Sequence, residues 1–232
     1  MRLVINGDDF GLTKGVTYGI LEAYEKGILT STTALVNQPF FMEAMNLAQN
    51  YPSLGVGVHL NVTVGKPLTD ADSLTDPNTG MFYRKPEIVF SHEVDYDEIY
   101  KEWKCQIDTF IKLTNRYPDH LDSHHFSSDY NDQTKEILKQ LCKEYDVPAR
   151  LDGTYYFSRD FYNDTVSAET LMEIIETNLN RNMEIMVHPG WCDLELYHKS
   201  SYSFKRVEEL DILCSKQMKD FIKNHNIELV HY

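Results

Sequence analysis

Segments of strand character and segments of helix character take turns along nearly the whole chain, and no other feature limits its fold so strongly. Apolar, β-branched runs occupy residues 3–5, 29–37, 54–60, 184–190 and 227–230, with briefer strands expected at 120–125 and 148–151. Apolar residues recur at helical spacing over 16–24, 41–50, 95–115, 133–145, 168–180 and 207–224. Thr13 is placed to cap the first helix, Gly27 to end it, and Tyr51-Pro52 to stop the second. Strands joined through helices pair in parallel, and an uninterrupted run such as Leu3-Val4-Ile5 belongs to a strand covered on both faces. Residues 61–86, with Gly65, Pro67, Pro77, Asn78 and Gly80, read as a long loop, expected to form part of a substrate mouth.

The residues that carry chemistry fall at the ends of these strands. Asp8 and Asp9 follow the first apolar run, His59 closes the third strand, His124 ends the strand at 120–125, and His188 ends the one at 184–190. A βα barrel gathers its active site from several strands at their C-terminal edge. An open doubly wound sheet concentrates its site at one switch point, usually with a glycine-rich phosphate loop. Neither GxGxxG nor GxxxxGK[ST] occurs, so a barrel is expected, built as one catalytic domain over residues 1–232.

Two adjacent carboxylates at the end of a buried strand need a cation between them or a retained proton, because like charges at close range resist joint ionisation. Taken alone, Asp8 and Asp9 also suit a helix cap or a tight turn. One carboxylate with two imidazoles and open positions for water is the donor set of a catalytic divalent metal site, and Asp9, His59 and His124 can supply it. Asp8, beside the liganding Asp9, is then placed to take a proton from water, and His188 stands on the same rim. His92, His198, His225 and His231 lie in helical or loop contexts and carry no such expectation.

A net charge of −14 and a pI near 5.0 argue against nucleic acid, whose phosphates need clustered Lys and Arg. No apolar run reaches the roughly 20 residues that span a membrane, and the opening residues lack the regions of a signal peptide. Cys105, Cys142, Cys192 and Cys214 are scattered and form no CxxC pair, which suits a reducing cytoplasm. Among the aromatic residues, Phe82, Tyr83, Tyr155, Tyr156 and Trp191 lie near the expected site loops, and Trp191 is the foremost candidate for stacking on a substrate, with packing as its more ordinary role.

Asn6-Gly7-Asp8-Asp9-Phe10-Gly11 resembles the N-(A/G)-D-D-F-G opening of the YdjC-like carbohydrate deacetylases. Thr30 to Asn37, Gly57-Val58-His59-Leu60, His120-Leu121-Asp122-Ser123-His124-His125 and Met186-Val187-His188-Pro189-Gly190 are similar to the family's later blocks, in the same order. The resemblance implies a deformed βα barrel related to polysaccharide deacetylases and one divalent ion, magnesium or zinc. It implies removal of acetyl groups from amino sugars, such as the N-acetylglucosamine units of chitooligosaccharides, and a homodimer. It assigns Asp9, His59 and His124 to the metal, Asp8 to the base, His188 to the acid, and Arg150 to orienting or balancing the acidic pair. The family's histidine block commonly runs H-H-H-x-H, whereas here Phe126-Ser127-Ser128 follow His125. The ligand is kept while the neighbouring surface changes, so substrate choice is where a difference is expected. Two other functions remain open to the same residues: a metal-dependent phosphoesterase, and a catalytically silent sugar-binding protein.

Overall fold

The computed structural model describes residues 1–232. Its strands in chain order are β1 (Arg2–Phe10), β2 (Ser31–Ala34), β3 (Gly55–Leu60), β4 (Thr75–Asp76), β5 (Met81–Phe82), β6 (Leu121–Ser123), β7 (Tyr156–Ser158), β8 (Met183–Val187) and β9 (Glu228–Leu229). Leu3, Val4, Ile5, Val58, Leu121, Ile185 and Val187 are wholly buried, because helices cover the outer face while the inner face turns on itself. The main sheet runs β6-β3-β2-β1-β8-β7 and is parallel throughout, with β9 alongside the start of β1. It curls into a half-barrel, open between β6 and β7, so the expected deformed βα barrel is what forms. The core is one cluster of 46 buried apolar residues.

Local chemistry explains most element boundaries. The Thr13 side chain accepts from Val16 N–H at the head of helix Lys14–Lys26, as its position predicted. Asp95 caps Tyr96–Thr114, and Asn131 with Thr134 makes a reciprocal capping box at the start of Asp132–Tyr145.

Three expectations fail. Residues 148–151 are not a strand: only Ala149 bridges to Leu121, and Leu151, at φ 71, turns the chain away. The single helix expected over 207–224 is two, Phe204–Cys214 and Lys216–Asn224, because Ser215 leaves the helical conformation and caps the second. Residues 61–86 are not structureless. They contain the β4–β5 hairpin and are tied to helix Tyr96–Thr114 by buried Glu102, which accepts from Leu68 N–H, Thr69 N–H and the Thr69 hydroxyl. The strand at β7, within an exposed polar stretch, has no counterpart in the sequence reading.

Gly19 sits inside the first helix, where glycine ordinarily costs about 1 kcal/mol against alanine. A Cβ there would lie 2.4 Å from Gly190 Cα, on the loop that follows β8. Gly19→Ala is therefore expected to lower stability by about 1–3 kcal/mol despite its better helix propensity, as urea unfolding would measure.

Candidate active site at the barrel mouth

Adjacent residues in a regular strand point to opposite faces, so Asp8 and Asp9 can share a site only if the alternation breaks. It does: the β1–β2 register shifts between Gly7 and Phe10, and Asp9 takes φ 75. On the other side β1 pairs with β8 up to Gly7 and Val187, so the next step along both strands sets Asp8 beside His188. The β3–β6 register pairs His59 with Asp122, and His124 follows one turn of chain later.

Asp9, His59 and His124 meet. Asp9 Oδ1 lies 3.4 Å from His59 Nε2 and 3.6 Å from His124 Nε2. A tetrahedral centre with bonds of about 2.0–2.1 Å holds its donors about 3.3–3.4 Å apart, close to both separations from Asp9, while the two imidazole nitrogens would have to draw together to share one ion. Oδ1 is buried and has no hydrogen-bond partner, which is costly for an acceptor unless a cation completes it. The other ring nitrogens are already engaged, His59 Nδ1 with Asp122 Oδ1 at 2.6 Å and His124 Nδ1 with Thr63 Oγ1 at 2.7 Å. Such partners fix the ring orientations and turn both Nε2 atoms toward Asp9. Burial and the neighbouring His125 hold His124 neutral, well below the usual histidine range. Burial works against charge on His59 too, but Asp122, Asp9 and Asp8 overcome it and raise the ring to about 10. The pocket attracts positive charge.

A second grouping, Asp8, His59 and Asp122, also brings three donor atoms within 4.8 Å of one another. Its oxygens are spoken for. Arg150 donates to Asp8 through both Nη atoms, at 2.9 and 2.7 Å, and forms an ion pair with Asp122 Oδ2 at 2.9 Å, while Thr33 Oγ1 donates to the same Asp122 oxygen. A cation there would sit against a guanidinium, whereas Asp9 Oδ1 faces two imidazoles and no cationic side chain of its own, which makes Asp9, His59 and His124 the alternative donor set.

Arg150 therefore touches Asp8 of the acidic pair directly, while Asp9 is paired with Arg206. Arg150 Nε also donates to Glu184 at 2.8 Å, which makes one guanidinium the partner of three buried carboxylates. Burial would raise the Asp8 pKa, but Arg150 overrides it and holds the carboxyl well below its usual range. Asn6 Nδ2 adds a bond to Asp8 Oδ1 at 2.8 Å. Tyr232 donates its hydroxyl to Glu184 behind the cluster.

Beyond Asp9 lies a network with no sequence signal. Arg206 donates from Nη2 to Asp9 Oδ2 at 2.5 Å and from Nε to the Tyr202 carbonyl at 3.0 Å. Buried Glu209 accepts from His188 N–H at 2.5 Å and from the Tyr202 hydroxyl. Burial, then Arg206, lower the His188 pKa to about 4, against the pull of Asp8 and Asp9, so the ring is neutral at pH 7.

Burial pushes Glu209 up to about 7, although Tyr202 and His188 N–H oppose it. Folded Glu209 thus binds more protons than unfolded Glu209 between about pH 4.5 and 7, and its contribution to stability falls as pH rises through that window. In Glu209→Gln the loss is absent. The unfolding free energy of the variant relative to wild type is expected to improve by up to about 3 kcal/mol from pH 4.5 to 7, read by chemical denaturation at each pH.

Trp191 is half-exposed and anchored by its edge. Its indole Nε1 donates to Glu22 on the first helix, at 2.9 Å. Phe82 is core, and Tyr155 packs against Tyr232. Asp122 and Thr63 escaped the sequence reading; Asp122 had a signal, since it stands two residues before His124 and so on the same face of the strand.

Residues 2–224 match the family described as YdjC-like protein. The chain is 35% identical to Carbohydrate deacetylase 2 of Listeria innocua, covering 100% of this chain and 98% of that protein. It is 34% identical to a chitooligosaccharide deacetylase of Citrobacter koseri, over 98% of this chain and 96% of that one. A crystal structure from Enterococcus faecalis superposes with a TM-score of 0.93 at 34% identity, covering 100% of this chain and 97% of that chain. The fold alone is shared with a family 4 carbohydrate esterase of Streptomyces lividans, at a TM-score of 0.59 and 10% identity over 98% of this chain and 91% of that one.

Proposed function

The chain belongs to the YdjC-like family, and from that premise we propose that it is a metal-dependent deacetylase of amino sugars. Its substrate would be a chitooligosaccharide or another saccharide containing N-acetylglucosamine, phosphorylated or not. The observation that carries this reading is the buried Asp9 Oδ1, without a hydrogen-bond partner, facing the Nε2 atoms of His59 and His124, where a bound cation would take the place of the proton on His59. A divalent ion held by these three supplies a Lewis acid that polarises the acetyl carbonyl and, if zinc, lowers the pKa of bound water from 15.7 to about 7.

The chain's own residues account for the protons. Asp8, ionised and oriented by Arg150, accepts one from the attacking water. His188 starts neutral and sits beside Asp8 along the sheet, so the proton that reaches the departing amine through it originates in that water. Water supplies an O–H proton to nitrogen and its oxygen to the acetyl carbon, which leaves as acetate with release of the second proton. A two-metal phosphoesterase is disfavoured because Asp8, Asp122 and Glu184 are all engaged by Arg150, leaving no second ligand set. No helix is long and apolar enough to cross a membrane, and the four cysteines are free thiols; we propose a cytoplasmic setting on the thiols.

Acetate release from N-acetylglucosamine, its 6-phosphate and short chitooligosaccharides, assayed with zinc, magnesium, manganese and cobalt, tests the reading. Acetate from at least one saccharide with at least one metal is expected; acetate from none overturns it.

A further inference from the structure

The sheet order ends at β6 and β7, with residues 148–150 bridging only the outer edge of β6, so a seam is left between the two strands. At the mouth end it holds a cavity of about 290 Å³, whose lining includes Phe126, Phe157, Arg159, Asp129 and Asp160. A second cavity of about 570 Å³ adjoins it, sharing Leu151 and Phe157 and carrying Tyr156 and Arg181 on its far wall. Together they form a groove of the size that holds a small ligand.

The groove borders the site on both sides. The Arg150 guanidinium that clasps Asp8 lies 5.0 Å from the centre of the Phe157 ring. Phe126 follows His124 by two residues, and both His125 and Phe126 are held at φ 55, a left-handed conformation that costs a non-glycine residue about 1–2 kcal/mol. Strain of this kind persists where it positions a functional side chain. Here it turns the Phe126 ring toward Phe157, 6.1 Å away, with Arg159 lying 5.1 Å over it. Arg181 stacks on half-exposed Tyr156 in the same manner, at 4.1 Å.

The charges select among ligands. Arg159 shares its cavity with Asp129 and Asp160, so an anion gains one cation and meets two carboxylates. A neutral sugar ring suits this lining better: its hydroxyls both donate and accept, and its C–H face is apolar enough to lie on an aromatic ring. We propose that the seam is a binding groove for the rings of an oligosaccharide beyond the one at the mouth, with Phe126 and Arg159 as its specificity-determining residues. The proposal rests on the deacetylase reading for the ring at the mouth, and assigns where the rest of the chain lies.

Binding can be separated from turnover with Asp8→Asn, titrated calorimetrically with N-acetylglucosamine and with N,N′-diacetylchitobiose. The disaccharide is expected to bind about tenfold more tightly, equivalent to 1.4 kcal/mol. Adding Phe126→Ala or Arg159→Gln should shrink that ratio to about twofold or less while leaving the monosaccharide affinity in place. Equal affinities in Asp8→Asn, a ratio unmoved by either substitution, or tighter binding of N-acetylglucosamine 6-phosphate than of the disaccharide would overturn the groove. A wild-type protein that releases no acetate yet keeps the affinity ratio would instead sink the deacetylase reading and leave the groove standing.

Discussion

Asp8→Asn lowers kcat by about 10²–10⁴, the range that a positioned general base contributes, while the protein stays folded. Its two oxygens take three donors, two from Arg150 and one from Asn6, which hold the carboxylate in place beside Asp9. An amide at position 8 keeps the shape but cannot accept a proton. The fold tolerates the change because Arg150 remains paired with Asp122 and Glu184. KM should move little, since the amide still occupies the same wall. Steady-state acetate release, with circular dichroism to verify folding, reads both; unchanged kcat would remove Asp8 from the mechanism.

Arg150→Met strikes stability more than any other single change. It leaves Asp8, Asp122 and Glu184 buried around an apolar side chain, with exposures of no more than 2%. Removing one partner from a buried ionic cluster costs about 3–5 kcal/mol, because the remaining charges cannot recover their hydration. Part of the loss is evaded by protonation, and Glu184, whose pKa burial already raises, is the group placed to take the proton. The variant should therefore recover stability as pH falls toward the carboxylate range. Urea unfolding at pH 5 and pH 8 measures it, and a loss equal at both values would contradict the account.

How much of this was legible in the chain depends on the kind of element. The parallel strands could be read because β1, β3 and β8 are buried on both faces and so are written as unbroken apolar runs. The site residues on them could be read because a polar group at the end of such a run has no packing role. Arg150 was visible only through family resemblance, since it sits on a segment that makes a single bridge rather than a strand. Arg206 and Glu209 were invisible. They lie on an amphipathic helix whose charged residues look like a solvent face, and only the tertiary fold turns these two inward onto Asp9 and His188. The short strand β7 was missed for a related reason: Tyr156 is exposed and Phe157 half-buried, so the apolar alternation that marks a strand is absent.

Metal content per chain is the direct measure of the central claim, that Asp9, His59 and His124 grip one ion. After loading with zinc and exhaustive dialysis, elemental analysis should find one equivalent in the wild type and in Asp8→Asn, and essentially none in Asp9→Ala or His124→Ala. Retention of the ion by Asp9→Ala and His124→Ala, or its loss from Asp8→Asn, would move the site to the Asp8, His59 and Asp122 grouping and contradict the mechanism.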